Sequence, residues 1–193
     1  MRLAIIKYNA GNVYSVTSAL KRLGVDPIVT ADPDLIRDAD KVMFPGVGEA
    51  SSAMAFLRKQ GLDTIIPDLK QPFLGVCLGL QLLCRHSEEN DTKCLGVFDT
   101  DVKRFPAGAK VPHIGWNDIR FGDSPLFKGL PEPAFVYFVH SYYAEPGRHS
   151  IAKTEYILPF SAALQKANFY AVQFHPEKSG RVGEQILRNF LEL

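Results

Sequence analysis

The sequence predicts an α/β fold with a doubly wound, mostly parallel central sheet, helices on both faces and an added antiparallel β portion in the second half. Two observations predict it. Before residue 91, short apolar runs alternate with segments of helical spacing, which is typical of parallel β-α-β units. After residue 91, short β segments are separated by prolines. We expect a single domain over residues 1–193, because a chain of 193 residues can bury one sizeable core.

The first half supplies its elements in a regular order. Apolar strands are predicted over residues 3–6, 26–30, 42–44 and 73–76. Helices are predicted over residues 13–23, 33–37, 50–60 and 80–86. Gly24 is expected to close the first helix, and Asp32 to cap the second with Pro33 at its first position. Such a flavodoxin-like sheet binds ligands beyond the carboxyl ends of its strands.

The second half reads as short strands followed by one helix. The predicted β segments are residues 96–99, 102–105, 113–119, 135–143 and 150–154. Residues 160–165 and 169–174 are expected to form a hairpin that turns at residues 166–168. A final helix is expected to begin near Ser179, because apolar residues recur at helical spacing after it.

Composition excludes several classes of protein. The net charge is +1 and the basic residues are scattered, so nothing indicates a nucleic-acid partner. No apolar run is long enough to span a bilayer, and we expect no membrane partner. The three cysteines form no C-x-x-C pair, which argues against a disulfide framework and a zinc site. We expect no metal, no cofactor and a cytoplasmic location, since free thiols suit a reducing compartment.

Residues 75–79 have the form of a nucleophile elbow in which Cys77 takes the place of serine. Gly75 and Gly79 would let the preceding strand and the following helix approach closely. The turn would present the sulfur at the positive end of that helix, which favours the thiolate. The amide of Leu78 would then be placed to donate to a developing oxyanion. The alternative interpretation is a buried structural cysteine.

A candidate base and a residue to orient it occur at residues 175–177. Pro176 keeps His175 extended, and in an extended segment residues i and i+2 point the same way, so Glu177 can lie beside His175. A nucleophile, a base and an orienting carboxylate together satisfy the logic of a catalytic triad. The alternative is a strand end leading into a helix, with Glu177 near the positive helix end. His86 is predicted at a helix end, His149 in a loop, and His113 and His140 in β segments.

A second possible oxyanion donor lies at residues 45–48, which follow a buried strand and are rich in glycine. Backbone amides of such a segment could face the reacting centre. A plain tight turn is the alternative, because Pro-Gly commonly forms turns.

These motifs together resemble the class I glutamine amidotransferases, which hydrolyse the side-chain amide of glutamine through a cysteine thioester and pass on ammonia. The resemblance rests on residues 75–81 and 173–177. Four further motifs, residues 8–16, 45–50, 112–117 and 140–143, resemble the glutaminase subunits of imidazole glycerol phosphate synthase, which act in histidine biosynthesis. The family often has Asp-Tyr-Gly where this chain has Lys7-Tyr8-Asn9.

The resemblance implies a role for each matched position. Cys77 would be the nucleophile, His175 the acid and base, and Glu177 the residue that fixes the histidine tautomer. The oxyanion would be held by amides at Val47, Gly48 and Leu78. The glutamine would be bound by Gly46, Gln81, Ser141 and Tyr142.

The resemblance also implies a partner, a (β/α)₈ barrel cyclase bound as a heterodimer, which would receive the ammonia. Because ammonia is better kept from water, we expect the active site near the docking face. Asn12, Trp116 and Lys178 are the candidates for that interface. A core aromatic is the alternative for Trp116 and a solvated side chain for Lys178.

Two other functions stay open at this stage. The chain could be a glutaminase for another pathway, such as anthranilate, aminodeoxychorismate or pyridoxal phosphate synthesis. It could also be a non-catalytic scaffold on the same fold, although all three triad positions are filled.

Overall fold

A computed structural model of the chain describes residues 1–8, 13–108 and 110–193. Within these ranges the strands are β1 (Leu3–Ile6), β2 (Ile28–Thr30), β3 (Lys41–Gly46), β4 (Phe73–Cys77), β5 (His86–Ser87), β6 (Thr92–Lys93), β7 (Asp101–Arg104), β8 (His113–Phe121), β9 (Ala134–His140), β10 (Tyr142–Ala144), β11 (Ser150–Tyr156), β12 (Leu158–Lys166) and β13 (Phe169–Val172). The α-helices there are α1 (Val13–Arg22), α2 (Pro33–Arg37), α3 (Ala50–Lys59), α4 (Leu62–Ile65), α5 (Leu78–Leu83) and α6 (Gly180–Glu192).

The main sheet joins the two halves of the sequence through one strand. Its order is β2-β1-β3-β4-β13-β12-β11-β8-β9. Strands β1 to β4 pair in parallel, and β13 continues this pattern beside β4. On its other side β13 pairs antiparallel with β12, and the rest of the sheet is antiparallel. The predicted fold class is therefore confirmed.

Helices cover both faces of the sheet because side chains alternate along its strands. In β1, Ala4 and Ile6 join one apolar cluster, which includes Leu57 of α3. Leu3 and Ile5 join the other, which includes Leu20 of α1 and Phe190 of α6. A second, smaller sheet has the order β10-β7-β5-β6. Among the described residues, no helix is both long and apolar enough to cross a membrane.

Two predicted elements in the middle of the chain are wrong, and they share a cause. The helix after the elbow ends at Leu83 rather than residue 86, and His86 lies in β5. Residues 96–99 form no strand, because their amides close the end of α5 instead: Gly96 N–H donates to the Cys84 carbonyl at 2.8 Å, and Phe98 N–H to the Leu83 carbonyl at 2.9 Å. This loop satisfies carbonyl groups that a helix end leaves unpaired. The predicted strand at 135–143 is also divided into β9 and β10.

Candidate active site

The elbow places Cys77 in a conformation that few residues adopt. Its backbone has φ 55° and ψ −107° at the junction of β4 and α5, a strained conformation of the kind that clusters at functional sites. A Cβ on Gly79 would lie 1.9 Å from the Phe44 carbonyl oxygen, and a Cβ on Gly75 would lie 2.9 Å from the Gly79 backbone. Glycine is needed at both positions because the backbones approach too closely for a side chain.

Cys77, His175 and Glu177 come together as the sequence predicts. The Nδ1 atom of His175 lies 2.8 Å from Glu177 Oε1, and Cys77 is near enough to the His175 ring to raise its pKa. Both side chains of the acid–base pair are almost fully buried, at 3% exposure for His175 and 1% for Glu177. The Cys77 sulfur also lies 3.7 Å from Gln173 Nε2 and 3.7 Å from the Val139 carbonyl oxygen.

These contacts set the charge of the base. Burial acts to lower the pKa of His175, but hydrogen bonds with Cys77 and Glu177, together with their charges, outweigh it and raise the pKa. A protonated His175 between a carboxylate and the sulfur favours a thiolate at Cys77. The three side chains can therefore supply a nucleophile, a proton donor and an orienting group.

The backbone of His175 is held from two sides. The residue follows β13 and precedes a 3₁₀ turn, Pro176–Lys178. Its N–H donates to the Tyr137 carbonyl at 2.9 Å, and its carbonyl accepts from the Ser179 hydroxyl at 2.6 Å. The Ser179 oxygen in turn accepts from the Tyr137 N–H at 3.0 Å. Tyr137 of β9 thus holds the backbone of His175 in place, directly and through Ser179.

A pocket of about 330 Å³ opens above the sulfur. Its lining contains nine of the predicted site residues: Val47, Gly48, Cys77, Leu78, Gln81, Ser141, Tyr142, His175 and Lys178. Pro112, Val139, His140 and Glu89 complete it. A cavity of this volume suits a small-molecule ligand.

The segment after β3 forms one wall of this pocket. The Tyr8 hydroxyl donates to the Val47 carbonyl at 3.0 Å, and burial raises the pKa of Tyr8, so it stays a donor. Gly46 packs against Tyr8 and Leu78, where an added Cβ would lie 2.7 Å from the Tyr8 oxygen. Gly48 has φ 108°, which favours glycine.

Gln81 and Tyr142 meet directly at the side of the pocket. Gln81 Nε2 donates to the Tyr142 carbonyl at 3.0 Å and to Gln173 Oε1 at 3.2 Å. A carbonyl oxygen only accepts, so this contact fixes which end of the Gln81 amide is nitrogen. Both N–H groups are used, and the Gln81 carbonyl oxygen is the group left to meet a ligand.

The sequence analysis missed Glu89, which is the only carboxylate among the described residues that line the pocket. It lies in a polar run that we interpreted as a boundary between the two halves. Its Oε2 atom accepts from the Ala50 N–H at 2.7 Å, at the start of α3. Burial raises the pKa of Glu89, while the Ala50 contact opposes this. An acidic run between two predicted elements was the only available signal.

The three interface candidates have different outcomes. Trp116 is 57% exposed, so the core interpretation is wrong. Its indole packs edge-on against Tyr137 with ring centres 6.0 Å apart and lies beside Gly180, near the turn that follows His175. Lys178 lines the pocket. Asn12 lies outside the described residues.

The other two thiols, Cys84 and Cys94, are not among the residues that line the pocket. Burial raises the pKa of Cys84 well above its usual value and that of Cys94 to about 12. Both are free and buried, so they behave as small apolar side chains. Over residues 1–8, 13–108 and 110–193, no three His, Cys, Asp or Glu side chains gather as metal ligands.

Comparison with known proteins identifies the class. The family profile of the class-I glutamine amidotransferases matches residues 4–193, and the chain belongs to this family. Two solved structures have the same fold. One is a glutamine amidotransferase with a TM-score of 0.77, 21% identity and coverage of 98% of this chain and 97% of the other. The second is a putative GMP synthase protein from Thermoplasma acidophilum, with a TM-score of 0.75, 24% identity and coverage of 100% and 93%.

More similar sequences narrow the class to one branch. The HisH subunit of imidazole glycerol phosphate synthase from Bacteroides fragilis is 59% identical, with 100% of both chains covered. The HisH subunits from Buchnera aphidicola and Shewanella loihica are 43% and 46% identical, with coverage of 100% of both chains and of 98% and 89%. The resemblance found in the sequence, and the expectation of an amidotransferase enzyme, are confirmed.

Proposed function

We propose that this chain is the glutaminase subunit of an imidazole glycerol phosphate synthase, and that it hydrolyses L-glutamine to glutamate and ammonia. The observation that carries the proposal is the buried contact of His175 with both Cys77 and Glu177 below a pocket of about 330 Å³. Full-length identity of 59% to a HisH subunit favours this pathway over the other glutaminase pathways. A cytoplasmic location stays a prediction.

The reaction runs in two halves. The Cys77 thiolate forms a C–S bond with the side-chain carbonyl carbon of glutamine, and the carbonyl electron pair moves to oxygen. When the pair returns, the C–N bond breaks and His175 gives its proton to the leaving ammonia. His175 then takes a proton from water, the hydroxide attacks the thioester, the C–S bond breaks, and glutamate leaves as the Cys77 thiolate and the protonated His175 are restored. Glu177 keeps the imidazole oriented throughout.

The oxyanion of each half-reaction would be met by backbone amides. Leu78 is the first residue of α5, and its N–H has no partner within the helix. Val47 and Gly48 supply the second candidate donor from the opposite wall. Donors fixed before the reaction stabilise charge without reorganising, and losing one costs roughly 10²–10³ in rate.

The amino-acid end of glutamine would be recognised by opposite charge and by free acceptors. Glu89 is the carboxylate available to its α-ammonium group, and the free Gln81 oxygen is a second acceptor. Ser141 and Tyr142 also line the pocket and would meet the α-carboxylate. Gly46 contributes by leaving room for Tyr8 and Leu78.

The partner would be a (β/α)₈ barrel cyclase, bound as a heterodimer over the outer face of β8 and β9. Three large apolar side chains of that face are exposed: Ile114 at 54%, Trp116 at 57% and Phe135 at 56%. Large exposed apolar groups at one place mark interaction sites. Val139 of β9 pairs with Ile114 and lines the pocket together with Lys178, so ammonia would leave toward the barrel.

The test is glutamate production from L-glutamine by the chain alone, with the barrel protein, and with the barrel protein plus its nucleotide ligand. We expect slow hydrolysis alone and a large increase in the liganded complex. Absence of hydrolysis in every mixture would overturn the proposal. Hydrolysis without any response to the barrel would assign the chain to another pathway.

A matched pair of variants tests the substrate site. Glu89→Gln should raise the KM for glutamine about 10-fold or more, since a charge-assisted hydrogen bond is worth roughly 1.5–3 kcal/mol. Glu88→Gln is the control, because Glu88 contacts the Arg104 amide and Lys103 instead. Equal KM values for the two variants would remove Glu89 from the site.

A further inference from the structure

Two histidines beside the pocket form a pair that the reaction does not use. His113 of β8 lies directly opposite His140 of β9, and their side chains point inward. The Nδ1 atom of His113 is 3.1 Å from Nε2 of His140. The residues are 3% and 5% exposed. Aromatic rings surround them: Tyr156 and Phe138 stack on His113, and Phe105 and Phe160 contact both.

The contacts of the pair determine where both protons lie. His140 Nδ1 is 2.7 Å from the Tyr142 carbonyl oxygen, which can only accept, so this nitrogen carries a proton. In neutral imidazole the other nitrogen is then an acceptor. His140 Nε2 must then accept a hydrogen bond from the N–H of His113 Nδ1. When both rings are neutral, both therefore hold their proton on Nδ1.

Protonation of either ring would disturb this arrangement. A positive charge would lie among aromatic rings, and a charged His140 would turn a second N–H toward the proton of His113. Burial lowers the pKa of His113 to about 4. Burial also lowers the pKa of His140 to about 3, against the Tyr142 contact, and the nearby charges of His113 and His175 act in the same direction as burial. Both rings are therefore neutral near pH 7.

A chain of hydrogen bonds connects the histidine pair to the nucleophile. The Tyr142 carbonyl accepts from both His140 Nδ1 and Gln81 Nε2, so both of its lone pairs are used. Gln81 next donates to Gln173 Oε1 at 3.2 Å, which turns the Gln173 nitrogen toward the Cys77 sulfur at 3.7 Å. Every donor nitrogen from His113 to Gln173 faces an acceptor, and the donors from His140 and Gln81 converge on the Tyr142 carbonyl.

We propose that His113 and His140 are positioning residues that fix the Tyr142 carbonyl, and through it the orientation of Gln81 at the glutamine subsite. The inference rests on the proposed glutaminase function. Burying a polar atom costs free energy unless the atom is hydrogen-bonded, and two phenylalanines would fill the same apolar space without burying any polar atom. A fully paired network instead specifies one geometry. The pair sets the free Gln81 oxygen toward the ligand and a Gln173 N–H toward the sulfur.

The tautomers can be read directly in the unmodified chain. A correlation of ring nitrogens with ring protons, recorded on the chain with ¹⁵N-labelled histidine at pH 7, distinguishes the two neutral forms and the cation. We expect His113 and His140 both to be neutral with the proton on Nδ1. A proton on Nε2 of either ring, or a charged ring, would overturn the proposal.

A pair of variants tests the positioning role. Asparagine at 140 places its side-chain nitrogen where the Nδ1 of histidine lies, whereas leucine has no donor there. The readout is inactivation of the full chain by the glutamine analogue 6-diazo-5-oxo-L-norleucine, compared with alkylation by iodoacetamide, which needs only the thiolate. His140→Leu should raise the half-saturating analogue concentration about 10-fold, the equivalent of one lost hydrogen bond. His140→Asn should raise it less than about 3-fold.

The controls separate this idea from others. Iodoacetamide should react with both variants at nearly the rate of the wild type, which shows an intact triad. His113→Phe keeps the ring stacking and leaves the Tyr142 contact, so it should lie between the two. Equal half-saturating analogue concentrations for His140→Leu and His140→Asn would overturn the positioning role. A wild type that shows no saturation with the analogue would overturn the glutaminase function instead.

Discussion

Two regions of this molecule bury histidine side chains almost completely but shift their pKa values in opposite directions. His175, at the catalytic turn, and His113 and His140, inside the β8–β9 pair, are each no more than 5% exposed. The pKa of His175 is raised, whereas burial lowers that of His113 to about 4 and that of His140 to about 3. The regions differ in the groups that the rings touch.

The partners decide the outcome. His175 has a carboxylate oxygen at 2.8 Å and a thiol on its other side, and both can carry the compensating negative charge. The pair has a second imidazole, a carbonyl and aromatic rings, none of which is an anion. Burial disfavours the charged form of a histidine, and a neighbouring negative charge can offset this effect.

The largest predicted effect comes from removing the partner that reacts. Cys77→Ala should abolish glutamine hydrolysis, since losing a triad nucleophile costs roughly 10⁴-fold or more in comparable enzymes. Ammonia-dependent synthesis in the complex should survive, because free ammonia bypasses the thioester. Glutamate release and circular dichroism are the measurements. Substantial glutaminase activity in the variant would end the triad hypothesis.

The next effect separates the base from its orienting carboxylate. His175→Ala should lower kcat more than Glu177→Gln does, because a neutral amide can still accept from the histidine while a missing base has no substitute. Single-turnover rates of thioester formation and hydrolysis would rank the two variants. Equal losses, or a larger loss for Glu177→Gln, would show that Glu177 has another role.

The neutral pair should make the fold sensitive to acid. A histidine with a lowered folded pKa contributes stability that is present above about 6.5 and is lost as the pH falls toward the folded value. Between pH 7 and pH 5 the wild type should lose roughly 2 kcal/mol of unfolding free energy for each ring, or roughly 3–4 kcal/mol for the pair. His113→Phe should reduce this loss.

Urea unfolding at several pH values in this range measures the effect. Most carboxyl groups titrate below it, so the difference between the two curves belongs to the histidines. Parallel curves for the wild type and His113→Phe would show that the pair is not neutral in the folded state, and the comparison with His175 would then fail.

The smallest effect on rate concerns the backbone hold on His175. Ser179→Ala leaves the buried Tyr137 N–H without its acceptor, which should cost about 1–3 kcal/mol of stability. We expect less than about a 10-fold loss in kcat, since both side-chain partners of the base remain. Ser52→Ala, which removes an exposed hydroxyl contact, is the control. A loss in kcat as large as that of His175→Ala would show that the backbone tie outweighs the partners.

What could be predicted from the sequence depended on local signals. The elbow around Cys77 and the motif at His175 each lie within a few residues, so spacing and residue type were sufficient. The parallel half was predicted for the same reason, because its strands and helices alternate in order. Glu89 is different, because its place in the pocket depends on how the loop after β5 returns to α3.

The histidine pair could not be predicted, because it depends on register. His113 and His140 are 27 positions apart, and a shift of one residue between β8 and β9 would turn either ring to the outer face. The sequence placed both in β segments and gave no means to align them. The predicted end of α5 was wrong for a related reason, because the hydrogen bonds that close the helix come from a later loop, at residues 96–98.

The contact between Gly79 and the Phe44 carbonyl limits how this enzyme can vary. A saturation library at codon 79 should yield almost no functional clones, alanine included, since even a methyl group would overlap a backbone oxygen at 1.9 Å. The neighbouring codons 80 and 83 carry ordinary apolar side chains and should accept similar ones. Reshaping the turn around Cys77 would require moving whole strands, because no side chain at position 79 fits beside the Phe44 carbonyl.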